Sequence, residues 1–188
     1  MKLFLLIPVL AALLLSVAVP VPAVDAPVPT RYSLAAIAGQ SYTPTNDREF
    51  LLLLSAAALY DYDRVWPHRA PEALRFKVEG AAGLSTAPRT RAVVAGSIFA
   101  LCYIDALRTA ALCPYAEAGI GLIYTDFQEK DQGLRLNFNP QAGFGVEFGA
   151  DGAAPWFAAF RLHHLSNGEL HRDNRGMNSL MVQIGKFF

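Results

Sequence analysis

The chain has 188 residues, of which 53% are hydrophobic and 17% are charged, and its 16 basic residues balance its 16 acidic ones. Zero net charge gives no long-range field to attract a polyanion, so the composition excludes nucleic acid as a partner. A chain this apolar must bury its hydrophobic residues in a core or expose them to lipid.

The N-terminal segment, residues 1–23, predicts a secretory signal peptide. Lys2 precedes a long run of leucine, valine and alanine, and the segment ends at Val21-Pro22-Ala23, with small residues where a signal peptidase cleaves. The alternative is an N-terminal membrane helix, but prolines interrupt the run and no basic stop-transfer cluster follows it. Residues 24–31 are Pro-rich and predict an extended lead-in, so residues 32–188 remain for the mature domain.

Eight segments with strand character follow, separated by polar or Pro- and Gly-rich breakers. They are residues 32–42, 49–62, 73–81, 91–103, 114–126, 134–148, 155–166 and 178–188. The segment between Cys102 and Cys113 predicts a turn. Two cysteines in an exported chain favour a disulfide, and two free thiols are the alternative.

Residues 134–148, LRLNFNPQAGFGVEF, carry the clearest signal: even positions are apolar, and odd positions are polar or glycine. Such alternation is typical of a strand, and its length suits a strand that crosses an outer membrane. Backbone polar groups in lipid must be paired within the protein, so these strands must close into a ring. Eight of them predict an all-β, antiparallel transmembrane β-barrel with a filled interior.

The same alternation assigns the two faces of the barrel. The polar side chains predicted to point inward and pair with one another are Arg75, Lys77, Glu79, Glu117, Arg135 and Glu147. A secreted β-sandwich or lipocalin-like barrel is the alternative, and it would turn its apolar face inward. The terminal Phe188, after alternating apolar residues interrupted by Lys186, resembles the ending that barrel-assembly machinery recognises in outer-membrane proteins. The predicted location is therefore the bacterial outer membrane.

Hydrogen-bonding residues concentrate in one stretch between the last two predicted strands, HHLSNGELHRDNRGMNS, residues 163–179. If both termini are periplasmic, the loop joining these strands is external. Parity puts His164 and Ser166 on the face of Phe160 and Leu162, and it puts Asn178 on the face of the apolar residues that follow it. The polar groups are therefore predicted on the lipid-facing wall near the outer rim, where they are least costly.

The motif H-x-S-N, followed by N-x-G, resembles the signature of outer-membrane lipid A 3-O-deacylases, grouped with the acyloxyacyl-hydrolase-like barrels. The resemblance implies a serine-hydrolase triad on the outer wall of the barrel. His164 and Ser166 match its first two members, and Asn178 stands where the family pattern has glutamate. It also implies an oxyanion hole formed by Asn174 and a backbone N–H near Gly168.

These residue types suit ester hydrolysis. A serine hydroxyl is a poor nucleophile until an imidazole takes its proton, and residues i and i+2 of a strand point the same way. A third group must hold the imidazole in the tautomer that leaves its other nitrogen free to accept. Asn178 can orient the ring but cannot stabilise its positive charge, so a weaker enzyme is expected unless Glu169 or Asp173 takes this role. No metal or organic cofactor is required.

The expected substrate is the ester-linked 3-hydroxyacyl chain at position 3 of lipid A, in the outer leaflet. One alternative is a non-catalytic barrel serving adhesion or membrane integrity, and another is an esterase or phospholipase on other outer-leaflet lipids. His163 and His171 are interpreted as ordinary rim residues, with His163 facing the interior by parity. A zinc site built from these two and His164 lacks the usual spacing. A homodimer is compatible with the sequence.

Overall fold

A computed structural model describes residues 29–44, 48–86, 89–128, 130–149 and 155–188. The predicted signal peptide, residues 1–23, and most of the predicted lead-in lie outside these residues. The described chain is almost entirely β-structure, as the alternating segments predict.

Antiparallel pairing joins successive strands along the chain except β6 and β7, and the last strand pairs with the first, which closes the sheet. The strands are β1 (Arg31–Thr43), β2 (Phe50–Asp61), β3 (Leu74–Ser85), β4 (Arg91–Tyr103), β5 (Leu112–Thr125), β6 (Leu136–Phe138), β7 (Gln141–Phe148), β8 (Trp156–Leu165) and β9 (Met177–Phe187). Both β6 and β7 pair with β5, and together they occupy the place of a single strand in the barrel wall. The predicted eight-stranded antiparallel barrel is therefore confirmed.

The break between β6 and β7 falls at Asn139 and Pro140, inside the segment that alternates without interruption in the sequence. Proline has no N–H to donate to a ladder, so regular pairing stops there. The Pro140 carbonyl still accepts from the His164 N–H at 3.0 Å, and Phe138 pairs with Ser166 across the gap. Alternation of the side chains continues through the break.

The exterior of the barrel is apolar. Leu54 and Phe144 are 72% and 68% exposed, and most other exposed hydrophobic residues lie at outward positions of the strands. The middle of the interior instead holds charged and amide side chains. An apolar exterior around interior charged groups is the pattern of a barrel surrounded by lipid.

An ion network occupies the middle of the interior, between two apolar clusters. Arg161 donates to both carboxylate oxygens of Glu79, at 2.6 and 3.0 Å, and to Glu117 at 2.6 Å. Lys77 also bonds to Glu117. Two positive and two negative charges therefore compensate one another where water is excluded. Arg161 is the main partner of these carboxylates and was not among the predicted interior charges.

Other predicted interior charges lie nearer the ends of the barrel. Glu147 pairs with Arg31 at 2.7 Å. The prediction for Arg135 was wrong: it lies before β6, is exposed, and bonds to Asp126 in the same loop at 2.7 Å. Arg135 has the odd parity of the inward residues, but β6 begins only at Leu136. Arg135 therefore lies outside a strand, and its side chain is not directed inward.

Among the described residues, the connections contain two short helices, α1 (Tyr62–Val65) and a 3-10 turn (Asp105–Leu107). In the described ranges, no helix has both the length and the apolar character needed to cross a membrane. Cys102 and Cys113 are free thiols. Cys102 occupies an outward position and Cys113 an inward one, so the two sulfurs do not meet and the disulfide is not formed.

Candidate active site

The end of β8 and the start of β9 hold a pair of polar side chains on the outer wall. His164 and Asn178 are direct cross-strand partners, at the end of the barrel opposite both chain termini. Both are half-buried, and their parity is that of the lipid-facing residues. The His164 Nδ1 atom lies 2.6 Å from the Asn178 Oδ1 atom. With the amide oxygen as acceptor, Nδ1 carries the proton and Nε2 is left to accept one.

Thr43, at the end of β1, completes a chain of three side chains. The β1–β9 register shifts between Ser41 and Thr43, so that Thr43 rather than Tyr42 lies opposite Asn178. The Asn178 side-chain N–H donates to Thr43 Oγ1 at 2.7 Å, and the Asn178 backbone N–H donates to the same oxygen at 3.2 Å. Sequence parity missed Thr43, because an irregularity in a strand changes which side chains meet.

Ser166 lies one residue beyond β8, two positions after His164. Its backbone is held by Phe138: the Phe138 N–H donates to the Ser166 carbonyl at 2.8 Å, and the Ser166 N–H donates to the Phe138 carbonyl at 3.1 Å. Within the described part of the chain, the Ser166 hydroxyl and the His164 ring are not hydrogen-bonded to each other. In unliganded hydrolases such bonds are often long and tighten only around substrate.

Gly176 leaves room for the imidazole. A Cβ atom at this position would lie 2.7 Å from His164 Cε1 and 3.3 Å from Nε2, closer than packed atoms approach. The Cε1–Nε2 edge of the ring therefore lies directly against the Gly176 backbone. This contact gives the glycine of the N-x-G motif a steric role.

The loop between β8 and β9, residues 166–176, is organised by the buried side chain of Asn167. Its side-chain N–H groups donate to the carbonyls of Gln132 and Asp173, at 2.9 and 2.7 Å. Its backbone N–H donates to Asn174 Oδ1 at 2.8 Å. Because the Asn174 side-chain oxygen accepts this bond, the Asn174 side-chain NH₂ group points away from the Asn167 backbone. Asn167 belongs to the H-x-S-N motif, but its supporting role was not predicted.

Gly168 lies in a tight turn beside the motif. The Leu170 N–H donates to the Asn167 carbonyl at 3.2 Å, and the two central residues, Gly168 and Glu169, have φ angles of 61° and 64°. Positive φ at both central positions is the mark of a type I′ turn. A Cβ at Gly168 would also lie 2.9 Å from the Phe138 ring, so both the backbone and the space favour glycine.

The two alternative carboxylates do not contact His164. Glu169 is exposed at the turn. Asp173 is directed to its own loop: its backbone N–H donates to His171 Nδ1 at 3.0 Å, and its carboxylate lies 3.8 Å from the same atom. Asn178 therefore occupies the position next to Nδ1.

The three histidines of this region are separated. His163 is buried inside the barrel, His164 is on the outer wall, and His171 is exposed in the loop. Among the residues that the structure describes, no group of three or more His, Cys, Asp and Glu side chains is placed to hold a metal ion.

An apolar groove of about 370 Å³ crosses the outer wall from β3 to β8. Its floor is made of small residues, and larger side chains form its sides. Leu162, the outward residue two positions before His164 on β8, lines the groove, and the lining continues across the wall to Leu74 at the start of β3. The lining includes Ala100, Ala116, Ala118, Ala142, Phe144, Phe160 and Leu162.

The fold and these groups define an outer-membrane β-barrel with a candidate hydrolytic site on its lipid-facing wall. The family model described as "PagL: Lipid A 3-O-deacylase" matches residues 55–186. The chain belongs to this family, which confirms the resemblance inferred from the motif. Membership implies a hydrolase that acts on lipid A and, with the apolar exterior, a location in the bacterial outer membrane.

Two solved structures share the fold. The crystal structure of the outer membrane enzyme PagL is 18% identical, with a TM-score of 0.57, and the match covers 81% of this chain and 97% of that one. Neisserial surface protein A (NspA) is 14% identical, with a TM-score of 0.61, and the match covers 84% and 94%. None of the curated proteins matches the sequence. At these identities the structural matches bear on the fold alone.

Proposed function

We propose that this chain is a lipid A 3-O-deacylase that hydrolyses the ester-linked 3-hydroxyacyl chain at position 3 of lipid A. Ser166 is the nucleophile, His164 is the base, and Asn178 orients the imidazole. The observation that carries the proposal is the 2.6 Å contact between His164 and Asn178 on the lipid-facing wall. A hydrogen-bonded imidazole at this surface has access to lipids and not to solutes in a lumen.

The reaction proceeds by acyl transfer through Ser166. Its hydroxyl attacks the ester carbonyl as His164 Nε2 takes the proton, and the resulting oxyanion accepts hydrogen bonds from the Asn174 amide and the Gly168 N–H. The imidazolium then returns the proton to the departing sugar oxygen, which leaves an acyl-serine. Water, activated by the same imidazole, releases the 3-hydroxy fatty acid and restores the serine.

The surroundings of the pair support a membrane lipid as substrate. The apolar groove reaches Leu162, two positions before His164 on the same strand, and is open to the bilayer, so an acyl chain can lie in it without leaving the apolar phase. The polar loop at residues 166–176 lies at the rim, where the headgroup of the same lipid would sit. An ester at the boundary between headgroup and acyl chain is thereby brought to the imidazole.

The first experiment is mass spectrometry of lipid A incubated with the purified protein in detergent micelles. Wild type is expected to remove one 3-hydroxyacyl chain, and Ser166→Ala and His164→Ala are expected to leave lipid A intact. Ser179→Ala is a matched control, because Ser179 is a buried serine on the interior side of the neighbouring strand. A folded wild-type barrel that leaves lipid A intact would support the non-catalytic alternative.

The second experiment tests substrate class with the same variants. Phospholipid vesicles replace lipid A, and released fatty acids are measured. The proposal expects little release compared with lipid A. Faster release from phospholipids, abolished by Ser166→Ala, would assign the same residues to an outer-membrane phospholipase.

The C-terminal strand supports a further part of the sequence prediction, recognition by barrel-assembly machinery. In β9 the residues Leu180, Val182 and Ile184 face outward, and Phe188 is exposed at the end of the chain. Together these outward residues form an apolar strand face. Deletion of Phe188 is expected to slow insertion into the outer membrane, measured as folded barrel in cell envelopes.

A further inference from the structure

A small cavity lies inside the barrel, between the apolar cluster that contains Ile37 and Leu53 and the ion network. Ala81 and Ala95 are cross-strand partners on β3 and β4, and their small side chains leave this space open. The cavity has a volume of about 20 Å³, and a single water molecule needs about 10–15 Å³. Polar side chains supply much of its wall, and these are Glu79, Ser97, Asn139, Gln141 and His163.

His163 lies against this cavity with its polar atoms unpaired. The residue is 2% exposed, and among the described residues neither ring nitrogen has a hydrogen-bond partner. A neutral imidazole has one donor and one acceptor, and each costs free energy when it is buried without a partner. Buried polar groups in folded proteins are nearly always paired, so His163 calls for a partner from outside the chain.

Asn139 brings a second unpaired group to the same cavity. Its side-chain nitrogen lies 3.3 Å from Ser97 Oγ, and its buried Oδ1 has no hydrogen-bond partner in the described ranges. Reversing the amide would exchange these two atoms, so one polar atom of the amide is left for the cavity in either direction. The remaining charged group of the wall is already paired, because Glu79 accepts from Arg161 and Gln183.

We propose that this cavity is a binding site for one ordered water molecule, which bridges His163 and Asn139. Water both donates and accepts, so it satisfies either tautomer of the imidazole and either direction of the amide. The volume admits no larger polar molecule. The bridge joins β8 to the break between β6 and β7, where regular pairing stops. This inference is independent of the proposed enzymatic activity.

The direct test is a crystal structure of the wild-type barrel at a resolution that shows ordered water. We expect density for one water at about 2.7–3.2 Å from a ring nitrogen of His163 and from a side-chain polar atom of Asn139. A cavity without such density, or a direct hydrogen bond between the two side chains, would overturn the proposal.

A cavity-filling variant tests the energetic role of the water. Ala95→Val adds two methyl groups at the cavity wall and displaces the water, so His163 and Asn139 lose their partner. We expect it to raise the unfolding equilibrium constant in lipid vesicles about fivefold or more, which is the effect of one net hydrogen bond. In a His163→Leu background the bridge is already lost, so adding Ala95→Val is expected to change the constant by less than about twofold.

Ala159→Val is the matched control, because Ala159 is a buried interior alanine in the other apolar cluster. It measures the effect of an added valine away from the cavity, and this effect should be the same in both backgrounds. A dry cavity would make Ala95→Val neutral or stabilising in wild type, because apolar atoms would fill empty space. That result, or equal effects of Ala95→Val in both backgrounds, would refute the proposal.

Discussion

Replacing Asn178 with aspartate tests the electrostatics of the candidate site with the least change of shape. Aspartate has the same number of side-chain heavy atoms as asparagine, so the 2.6 Å contact with His164 is retained. A hydrogen bond between neutral groups contributes about 0.5–1.5 kcal/mol, and one to a charged group contributes about 1.5–3 kcal/mol. The gain of about 1.4 kcal/mol arises when the imidazole becomes positive in the transition state, so kcat should rise about tenfold.

Stability sets a limit on this variant. A new charge facing the bilayer near its interface costs about 0–1 kcal/mol, because His164 and Asn178 lie at the end of the barrel and not at its middle. We therefore expect Asn178→Asp to fold, with a slightly lower free energy of unfolding in lipid vesicles.

The assay is the initial rate of 3-hydroxy fatty acid release from lipid A in mixed micelles. Asn178→Asp should raise kcat, Asn178→Ala should lower it, and Asn178→Asp combined with His164→Ala should be inactive. A folded Asn178→Asp variant with kcat equal to or below that of wild type would refute the reasoning. Full activity in Asn178→Ala would instead point to Glu169 or Asp173 as the orienting group.

Three other changes give separate outcomes. Arg161→Met leaves two buried carboxylates with one cation and should lower the free energy of unfolding in vesicles by about 3–5 kcal/mol. Adding Glu79→Gln should recover part of this loss. A loss below about 1 kcal/mol would show that the network is not desolvated. Gly176→Ala puts a methyl group 2.7 Å from the imidazole Cε1 and should lower kcat about ten- to hundredfold with the barrel intact; unchanged kcat would mean that the ring does not use this position. Ala118→Phe should obstruct the groove and raise KM for lipid A, while Ala56→Phe, on another part of the outer wall, should not; equal KM values would exclude the groove as the acyl-chain site.

Much of the barrel follows from local sequence. Alternation over residues 134–148 predicts both a strand and its two faces, and the faces hold even across Pro140, where regular pairing stops. Parity also separates His163, inside the barrel, from His164, on the outer wall. These results follow because side-chain direction in a strand depends on position along that strand and needs no knowledge of its neighbours.

The remaining features depend on contacts between distant segments. The register shift that brings Thr43 to Asn178 joins residues 135 positions apart, and Asn167 holds a loop by bonding to the carbonyl of Gln132. Arg161 meets Glu79 and Glu117 only when the sheet closes. None of these contacts has a periodic signal in the sequence.

The sequence by itself determined which residues face lipid and which polar motif lies at the rim, because both depend on the period of a single strand. Only the tertiary structure decided which side chains meet there. Closure of the sheet sets the register of β1 against β9, and the Asn167 side chain joins the β8–β9 loop to the carbonyl of Gln132 in another loop. Register and loop packing are properties of pairs of segments, so no single segment contains them.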